Sequence, residues 1–538
     1  MWDKIRSYLE FLLIRGKDIR FLVSSPYRIG LIVLFTVLFF PHVFVMVEDI
    51  SLVRAYEVDP GSIVDTIVSL YQPSDFYNMN VPYHSKFYGW TYYWISFLLA
   101  APAYILTSLN VFEGYAFFLV SVRFILFLIS LAFALAFFEV ARRLFKQELL
   151  AFVACLLCLA SPAVSNFFYF IHPETTGLLF LFLALLCLLN FHESLARGLR
   201  WYTFGLLCLT LSVLSKHVFL FTALPVLFLF LYVYCHHHQI TLFRFILSRK
   251  FVLVLFGSLV FSGVIFFIIN PFAFFQPRIF FANQLRLFST QTQGSSAEMD
   301  AVKAWLEILW TMPAIYISIL LAPLSFFGAI RLRDQKVGLT FYLVNLAGSL
   351  FFLFFTVMSL RYLIYAGYLA PIYPLFILNL LGTAVFVVRR LNLRSLKLGV
   401  GSIIALCLLF ILIKDFSISL PVQWNRLTYQ DSLAYQSYQY IEAEIPAGTK
   451  IAHDQFVAVP YDTDIVGCHY WAGGCGSDYI EKFQPDYVIF NDDWTFQGAT
   501  VPQKTRLITY INDYDFVLID TIGNPAYPGS SLQVWQKP

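Results

Sequence analysis

Two adjacent carboxylates, Glu48 and Asp49, directly follow the first apolar stretch of the chain, residues 31–47. A charged side chain at the edge of a membrane span is costly, and a residue that carries this cost marks a functional site by default. A carboxylate can also take a proton from a hydroxyl group as a general base. We therefore expect this pair to form the centre of an active site at the non-cytoplasmic face of a membrane.

Two further motifs place charge between apolar stretches. His172-Pro173-Glu174 lies between the predicted third and fourth spans, and Ser215-Lys216-His217 lies at the outer end of the predicted fifth span. Lysine is a compact point charge, so Lys216 beside His217 is suited to bind a phosphate anion. Each motif also has a plainer interpretation. The first is typical of a proline turn with a solvated carboxylate, and the second of a lysine that snorkels to the lipid interface.

Arg361-Tyr362 forms the next signal, ahead of an apolar stretch that contains Pro371 and Pro374. The guanidinium fork matches phosphate oxygens, although Arg and Tyr also anchor spans at the membrane interface. The predicted first outer loop, 48–114, adds His84 and Lys86, and long ordered loops are usually functional. Carboxylates and cations at one boundary would suit an anionic, lipid-borne substrate with a reacting hydroxyl partner.

Composition places the chain in the membrane class. Of its 538 residues, 59% are hydrophobic and only 13% are charged. A soluble domain cannot hide so much apolar surface, whereas a bilayer requires spans of about 20 apolar residues. The formal net charge of +3 indicates no nucleic-acid partner.

Six basic clusters between the apolar stretches set the predicted topology, because cytoplasmic loops are rich in Lys and Arg. With all six inside, the N-terminus is cytoplasmic, the C-terminal tail is outside, and residues 1–28 form an amphipathic segment on the inner surface. Residues 90–109 then read as a juxtamembrane or re-entrant helix. The sequence predicts about eleven spans in a membrane domain over 29–415, at 29–47, 115–139, 149–169, 175–191, 201–216, 218–235, 251–270, 304–329, 338–359, 362–388 and 398–415.

A polar, turn-rich composition over residues 416–538 predicts an extracytoplasmic α/β domain. Helical spacing over 438–445 ends at a Pro-Ala-Gly turn, and short apolar runs at 450–452, 487–490, 515–519 and 532–535 are typical of strands. Cys468 and Cys475 are expected to form a disulfide, since the compartment is oxidising. Two free thiols, or a weak metal pair with His469, are the alternatives.

Several short motifs share one order, spacing and sidedness. They are Glu48-Asp49, the aromatic segment from Tyr83-His84 to Trp94, Ala141-Arg142-Arg143-Leu144-Phe145, Ser161-Pro162 with His172-Pro173-Glu174, Asn270-Pro271, Arg361-Tyr362, and the tail around 441–450. Together they resemble the GT-C glycosyltransferases of the polyprenyl-phosphate-sugar branch, which includes the protein O-mannosyltransferases and the aminoarabinose transferase of lipid A. The family's acidic pair is more often Asp-Glu or Asp-Asp, and its His-Pro-Pro motif is replaced here around His84-Ser85-Lys86.

The resemblance implies a mechanism and a role for each motif. Lys216 and Arg361 would hold the donor phosphate and stabilise charge on the leaving group. His217, Tyr362, His84 and Lys86 would be further substrate-binding residues. Glu48 or Asp49 would act as general base on the acceptor hydroxyl, with inversion at the anomeric carbon. Against the Asp-Asp version of the pair only Glu48 departs, which favours Asp49. Glu174 and His172 would orient acceptor or donor.

The sequence leaves three other functional interpretations open. An anionic-solute transporter would place charges near the midplane and show internal repeats, whereas here the charges gather at one face. A lipid-linked glycan polymerase or ligase would use a diphosphate donor, and a non-catalytic relative would bind the lipid-linked sugar only. The acceptor is a protein, a lipid or a glycan in the main reading. No cofactor is certain, and a divalent cation beside the carboxylates stays open, since no ligand cluster demands one.

Overall fold

The computed structural model divides the chain into two compact units, which are described separately. The first comprises Met1–Phe40, Tyr83–Leu98 and Phe124–Pro421, and the second comprises Pro41–Pro82, Leu99–Arg123 and Val422–Pro538. The segment with Glu48 and Asp49 therefore belongs to the unit that contains the C-terminal region. Within these bounds the structure describes residues 25–56, 58–71, 89–106, 115–193, 197–278, 280–282, 312–321, 369–390, 394–454, 457–460, 464–469, 480–491, 501–523 and 531–538.

The described chain up to residue 427 is helical. Its helices are α1 (Pro26–Phe39), α2 (Ile50–Tyr56), α3 (Val58–Ser69), α4 (Trp90–Leu106), α5 (Tyr115–Phe145), α6 (Glu148–Ala160), α7 (Pro162–Ser165), α8 (Glu174–Glu193), α9 (Gly198–Ser215), α10 (Leu220–His237), α11 (Leu242–Ile246), α12 (Arg249–Ile269), α13 (Pro271–Phe275), α14 (Pro313–Leu320), α15 (Tyr373–Arg390) and α16 (Arg394–Leu427).

Seven of the described helical segments are long and apolar enough to cross a membrane. They are Pro26–Phe44, Ala116–Phe145, Glu174–Glu193, Gly198–Ser215, His217–His237, Arg249–Ile269 and Ser395–Leu427. An eighth results if Glu148–Ala160 and Pro162–Phe168 count as one span with a 73° bend. The bend follows from the sequence, because Ser161 precedes a proline, which disfavours helical backbone, and it is extended at φ −70° and ψ 127°.

These segments confirm the predicted class, a polytopic helical membrane protein. Seven predicted spans coincide with them, and the span predicted at 149–169 is the bent pair. The span predicted at 362–388 is described only from residue 369 onward, and the one at 304–329 only over residues 312–321. The span predicted at 338–359 lies outside the described residues. The segment predicted as a re-entrant or juxtamembrane helix forms α4, 17 residues long with Pro102 inside.

Close packing joins α8 to α9 and to the short 3-10 helix that follows α9. The Ser212 hydroxyl donates to the Gly177 carbonyl oxygen at 2.7 Å, and the ring of Phe219, fully buried, lies against Gly177. A Cβ atom at Gly177 would lie 2.6 Å from Cζ of Phe219, closer than side chains tolerate. Glycine is therefore required where these helices approach each other.

Replacing Gly177 with alanine should destabilise the protein by about 1–3 kcal/mol, since overpacking displaces a buried ring or the helix backbone. Gly257→Ala in α12 is the matched control, because an added Cβ there meets no atom of the described residues within 4 Å. Thermal unfolding in detergent measures both variants. Equal melting temperatures for Gly177→Ala and wild type would show that Phe219 moves aside without cost.

The second unit contains a five-stranded mixed sheet of order β2-β1-β3-β5-β4. The elements after residue 427 are α17 (Leu433–Glu444), β1 (Lys450–His453), β2 (Val466–His469), α18 (Ile480–Phe483), β3 (Tyr487–Asn491), α19 (Val501–Asp513), β4 (Val517–Gly523) and β5 (Ser531–Gln536). Strands β1, β2 and β3 run parallel, and β5 runs antiparallel to both β3 and β4. The predicted α/β character of this region is confirmed.

Alternating side chains of the sheet bury two apolar clusters, one on each face. Ile451 and Ile489 pack with Ile441 of α17 on one face, while Val488 packs with Leu507 of α19 on the other. Helix α17 begins where the Ser432 hydroxyl accepts from the Tyr435 amide, a standard N-cap. The edge strand β2 was not among the predicted strands, because its sequence, Val-Gly-Cys-His, has no apolar alternation.

Candidate active site

The structure describes about half of the residues predicted to form the site. Glu48, Asp49, His172, Glu174, Lys216 and His217 are described, whereas Arg361, Tyr362, His84, Lys86 and Cys475 lie outside the described residues. For Cys468 only the backbone position in β2 is described, so the predicted disulfide also lies outside them. The described residues fall into two groups, one in each compact unit.

The group in the first unit is a buried ion pair. Glu174, the first residue of α8, is completely buried, and its carboxylate accepts from the Lys216 ammonium and from Nδ1 of His172. A carboxylate is favourable at a helix N-terminus because the backbone N–H groups there carry partial positive charge. Pro173 does lie in a turn just before α8, but Glu174 is not a solvated carboxylate, so that part of the plainer interpretation is wrong.

Lys216 reaches this carboxylate because helix α9 ends one residue before it. Its backbone is extended, at φ −157° and ψ 132°, and its side chain is 14% exposed. A lysine that merely snorkels would direct its ammonium to water, whereas this ammonium binds a buried carboxylate. His217 begins the 3-10 helix His217–Phe219 and is half-buried. No bond from its imidazole to Glu174 is found in the described part of the chain.

The acidic pair lies in the second unit, and its two carboxylates differ in setting. Asp49 is 6% exposed, and its Oδ1 accepts from the Ser51 amide at 2.7 Å, so it caps α2. Glu48 is exposed, and its Oε1 accepts from the hydroxyl of Tyr429, 381 residues away. The two neighbours thus have different partners and different access to solvent.

Two buried arginines hold the backbone just before this pair. Arg426 is fully buried and donates from Nη1 to the His42 carbonyl oxygen at 3.1 Å. Arg123, 2% exposed, donates to the Val45 carbonyl oxygen. Met46, which follows, has a left-handed backbone with φ 54° and is fully buried. A non-glycine residue in this region is strained and persists only where its surroundings hold it.

Sequence reasoning missed Arg123, Arg426 and Tyr429. Arg123 had a signal, since it interrupts the apolar run Ala116–Ser130, and an ionisable residue inside a span is a functional candidate. Asp415 had the same signal near the end of the last apolar run; it is fully buried and accepts from the Tyr373 hydroxyl at 2.5 Å. Tyr429 had none, because its role depends on a partner hundreds of residues away.

Metal ligation was a further open question. Among the described residues, no three His, Cys, Asp or Glu side chains group as ligands of one metal ion.

Comparison with known families bears on the first group of site residues. Residues 99–267 match the family described as dolichyl-phosphate-mannose-protein mannosyltransferase. This match confirms the resemblance to the GT-C glycosyltransferases. It includes His172, Glu174 and Lys216, whereas Glu48 and Asp49 precede it. Comparison of the sequence with curated proteins found no match.

Two solved structures of one protein align with most of the chain. The crystal structure of ArnT from Cupriavidus metallidurans in the apo state has 14% sequence identity and a TM-score of 0.44. The crystal structure of the same protein bound to undecaprenyl phosphate has 14% identity and a TM-score of 0.49. Each alignment covers 95% of this chain and 98% of the ArnT chain.

Proposed function

We propose that this protein is a membrane glycosyltransferase of the GT-C type that transfers a sugar from a polyprenyl-phosphate donor to a hydroxyl acceptor. The observation that carries the proposal is the family match over residues 99–267, because that segment contains the buried cluster of Glu174 with Lys216 and His172. Glu48 and Asp49 lie outside the matched segment. Substitutions of this acidic pair therefore test the proposed function independently of the family match.

In the proposed reaction, a carboxylate of the Glu48–Asp49 pair accepts the proton of the acceptor hydroxyl. The hydroxyl oxygen then forms a bond to the anomeric carbon, and the bond from that carbon to the phosphate oxygen breaks. Attack opposite the leaving group inverts the anomeric centre, and polyprenyl phosphate leaves with the electron pair. General base catalysis of this kind contributes about 10²–10⁴-fold to the rate.

The buried cluster is proposed to act on the donor phosphate through Lys216. The Lys216 side chain is 14% exposed, and its ammonium, which binds Glu174, is a compact positive charge of the kind that suits a phosphate anion. Because Glu174 has no exposed surface, its proposed role is to hold Lys216 and not to contact substrate in this conformation. Arg361, Tyr362, His84, Lys86 and His217 complete the proposed set of substrate-binding residues, and His172 is bonded to Glu174.

The finer parts of the proposal concern place and substrates. The reaction is proposed to occur at the outer face of a bacterial inner membrane, with the N-terminus cytoplasmic and the C-terminal domain periplasmic. This orientation rests on the distribution of Lys and Arg along the sequence. The transferred sugar is a hexose or pentose, and the acceptor is a protein, a lipid or a glycan.

A donor panel tests the proposed function directly. The purified protein in liposomes is given polyprenyl-phosphate hexoses and pentoses together with peptide, lipid and glycan acceptors, and mass spectrometry follows the products. We expect a glycosylated acceptor and free polyprenyl phosphate with at least one donor. The control is a Glu48→Gln, Asp49→Asn double variant, which should bind donor without transfer. Solute uptake without any transfer would favour the transporter alternative.

A further inference from the structure

The hydroxyl of Tyr429 fixes one oxygen of the Glu48 carboxylate. Tyr429 is 7% exposed, and its ring lies nearly perpendicular to that of Tyr435, with 5.5 Å between centroids. The pKa of the Tyr429 phenol is raised above its ordinary value, mainly by burial and secondly by the hydrogen bond to Glu48. The phenol therefore stays protonated and donates its hydrogen bond to Glu48 throughout the neutral range.

The same short stretch of chain also holds the backbone that leads to Glu48. Arg426 lies at the end of α16, one turn before Tyr429, and binds the carbonyl oxygen of His42. The Arg123 guanidinium binds the carbonyl oxygen of Val45. These bonds hold the chain immediately before the left-handed Met46, from which Glu48 follows two residues later. Both the backbone and the side chain of Glu48 are thus positioned from outside its own segment.

Asp49 has a different task in the same segment. Its Oδ1 caps α2 through the Ser51 amide, and the residue is buried. A general base must come within hydrogen-bond reach of the proton that it takes. Glu48 is the exposed member of the pair. Among the described residues, the Tyr429 hydroxyl bonds one oxygen of the Glu48 carboxylate, Oε1.

We propose that Glu48 is the reacting carboxylate and that Tyr429 is its positioning residue, contributed by the chain just after the last predicted span. This inference rests on the proposed function and divides the acidic pair into a reactive member, Glu48, and a structural member, Asp49. In this proposal Tyr429 acts through its bond to Glu48. Its loss should therefore lower kcat and leave KM for the donor unchanged.

The test compares Tyr429→Phe with Tyr435→Phe. Both remove one hydroxyl and keep the ring, but only the Tyr429 hydroxyl binds Glu48. We expect Tyr429→Phe to lower kcat about ten-fold, as for loss of a hydrogen bond to a charged group, with an unchanged donor KM. Tyr435→Phe should retain wild-type kcat. In a Glu48→Gln background, Tyr429→Phe should cause no further loss, because residues that act as a unit are non-additive.

A measurement without substrate separates this inference from the proposed function. Hydrogen–deuterium exchange should rise in peptides over residues 42–56 of Tyr429→Phe and stay unchanged there in Tyr435→Phe. If wild-type protein transfers no sugar from any donor, the proposed function fails, while faster exchange still supports Tyr429 as the residue that positions Glu48. The inference would be overturned by unchanged exchange in Tyr429→Phe, or by full kcat in that variant. It would also be overturned if the kcat losses of Tyr429→Phe and Glu48→Gln multiplied in the double variant.

Discussion

Glu48→Gln is expected to abolish most transfer, with kcat lowered by about 10²–10⁴-fold, the usual contribution of a general base. Glutamine keeps an oxygen that can accept from Tyr429, so the segment around it should retain its structure. The amide cannot take a proton from the acceptor hydroxyl. Initial-rate measurements with saturating donor and acceptor give the effect on kcat, and KM for the donor should change little.

Asp49→Asn is the matched control for this prediction. Asparagine is as good a helix N-cap as aspartate, so the bond to the Ser51 amide, 2.7 Å in wild type, can persist. We expect less than about a ten-fold loss of kcat from this variant, far below the general-base effect. A severe loss in Asp49→Asn with an active Glu48→Gln would instead make Asp49 the base, as the sequence pattern favours. Full activity in both variants would remove the pair from the chemistry.

Lys216→Met is expected to destabilise the protein by about 3 kcal/mol, the low end for breaking a buried ion pair. The Glu174 carboxylate has no exposed surface, and without the ammonium it stays buried and keeps, among the described contacts, only the bond to His172. Methionine fills nearly the volume of the lysine stem, so the loss reports on charge and not on a cavity. Unfolding in detergent, followed by circular dichroism, measures the difference from wild type.

Two further variants identify the cause of this loss. Lys216→Met combined with Glu174→Gln removes both charges and should recover most of the stability, because the cost comes from the unpaired carboxylate. Lys397→Met, at an exposed position of α16, should be nearly neutral. If the double variant is as unstable as Lys216→Met alone, packing of the lysine stem and not its charge accounts for the effect. Sugar transfer should be lost in Lys216→Met and in its combination with Glu174→Gln if the Lys216 ammonium holds the donor phosphate.

Local sequence features predicted most of the long apolar helices that the structure describes. Apolar runs of span length predicted helices such as α8 and α12 to within a few residues, since burial in lipid depends on composition over one segment. Ser161-Pro162 determined the break after α6, because the clash of proline with the preceding residue is local. The strand β2 was missed, since an edge strand without apolar alternation depends on its neighbour for pairing.

The sequence also identified which residue types bear chemistry but not their partners. Glu48, Asp49, Glu174 and Lys216 were singled out because charge at a span boundary is costly wherever it occurs. Their partnerships depend on how helices pack, which no local pattern encodes.

By itself, then, the sequence determined a polytopic membrane protein with a mixed C-terminal domain and with carboxylates and cations at span ends, because hydropathy and charge cost are properties of single segments. The tertiary structure alone decided that Lys216 neutralises a buried Glu174, 42 residues away, and that Tyr429 binds Glu48 across 381 residues. It also decided that Asp49 caps a helix while Glu48 is exposed. Adjacent residues with the same charge received different surroundings, since burial and hydrogen bonding are set by whichever distant segment packs against each one.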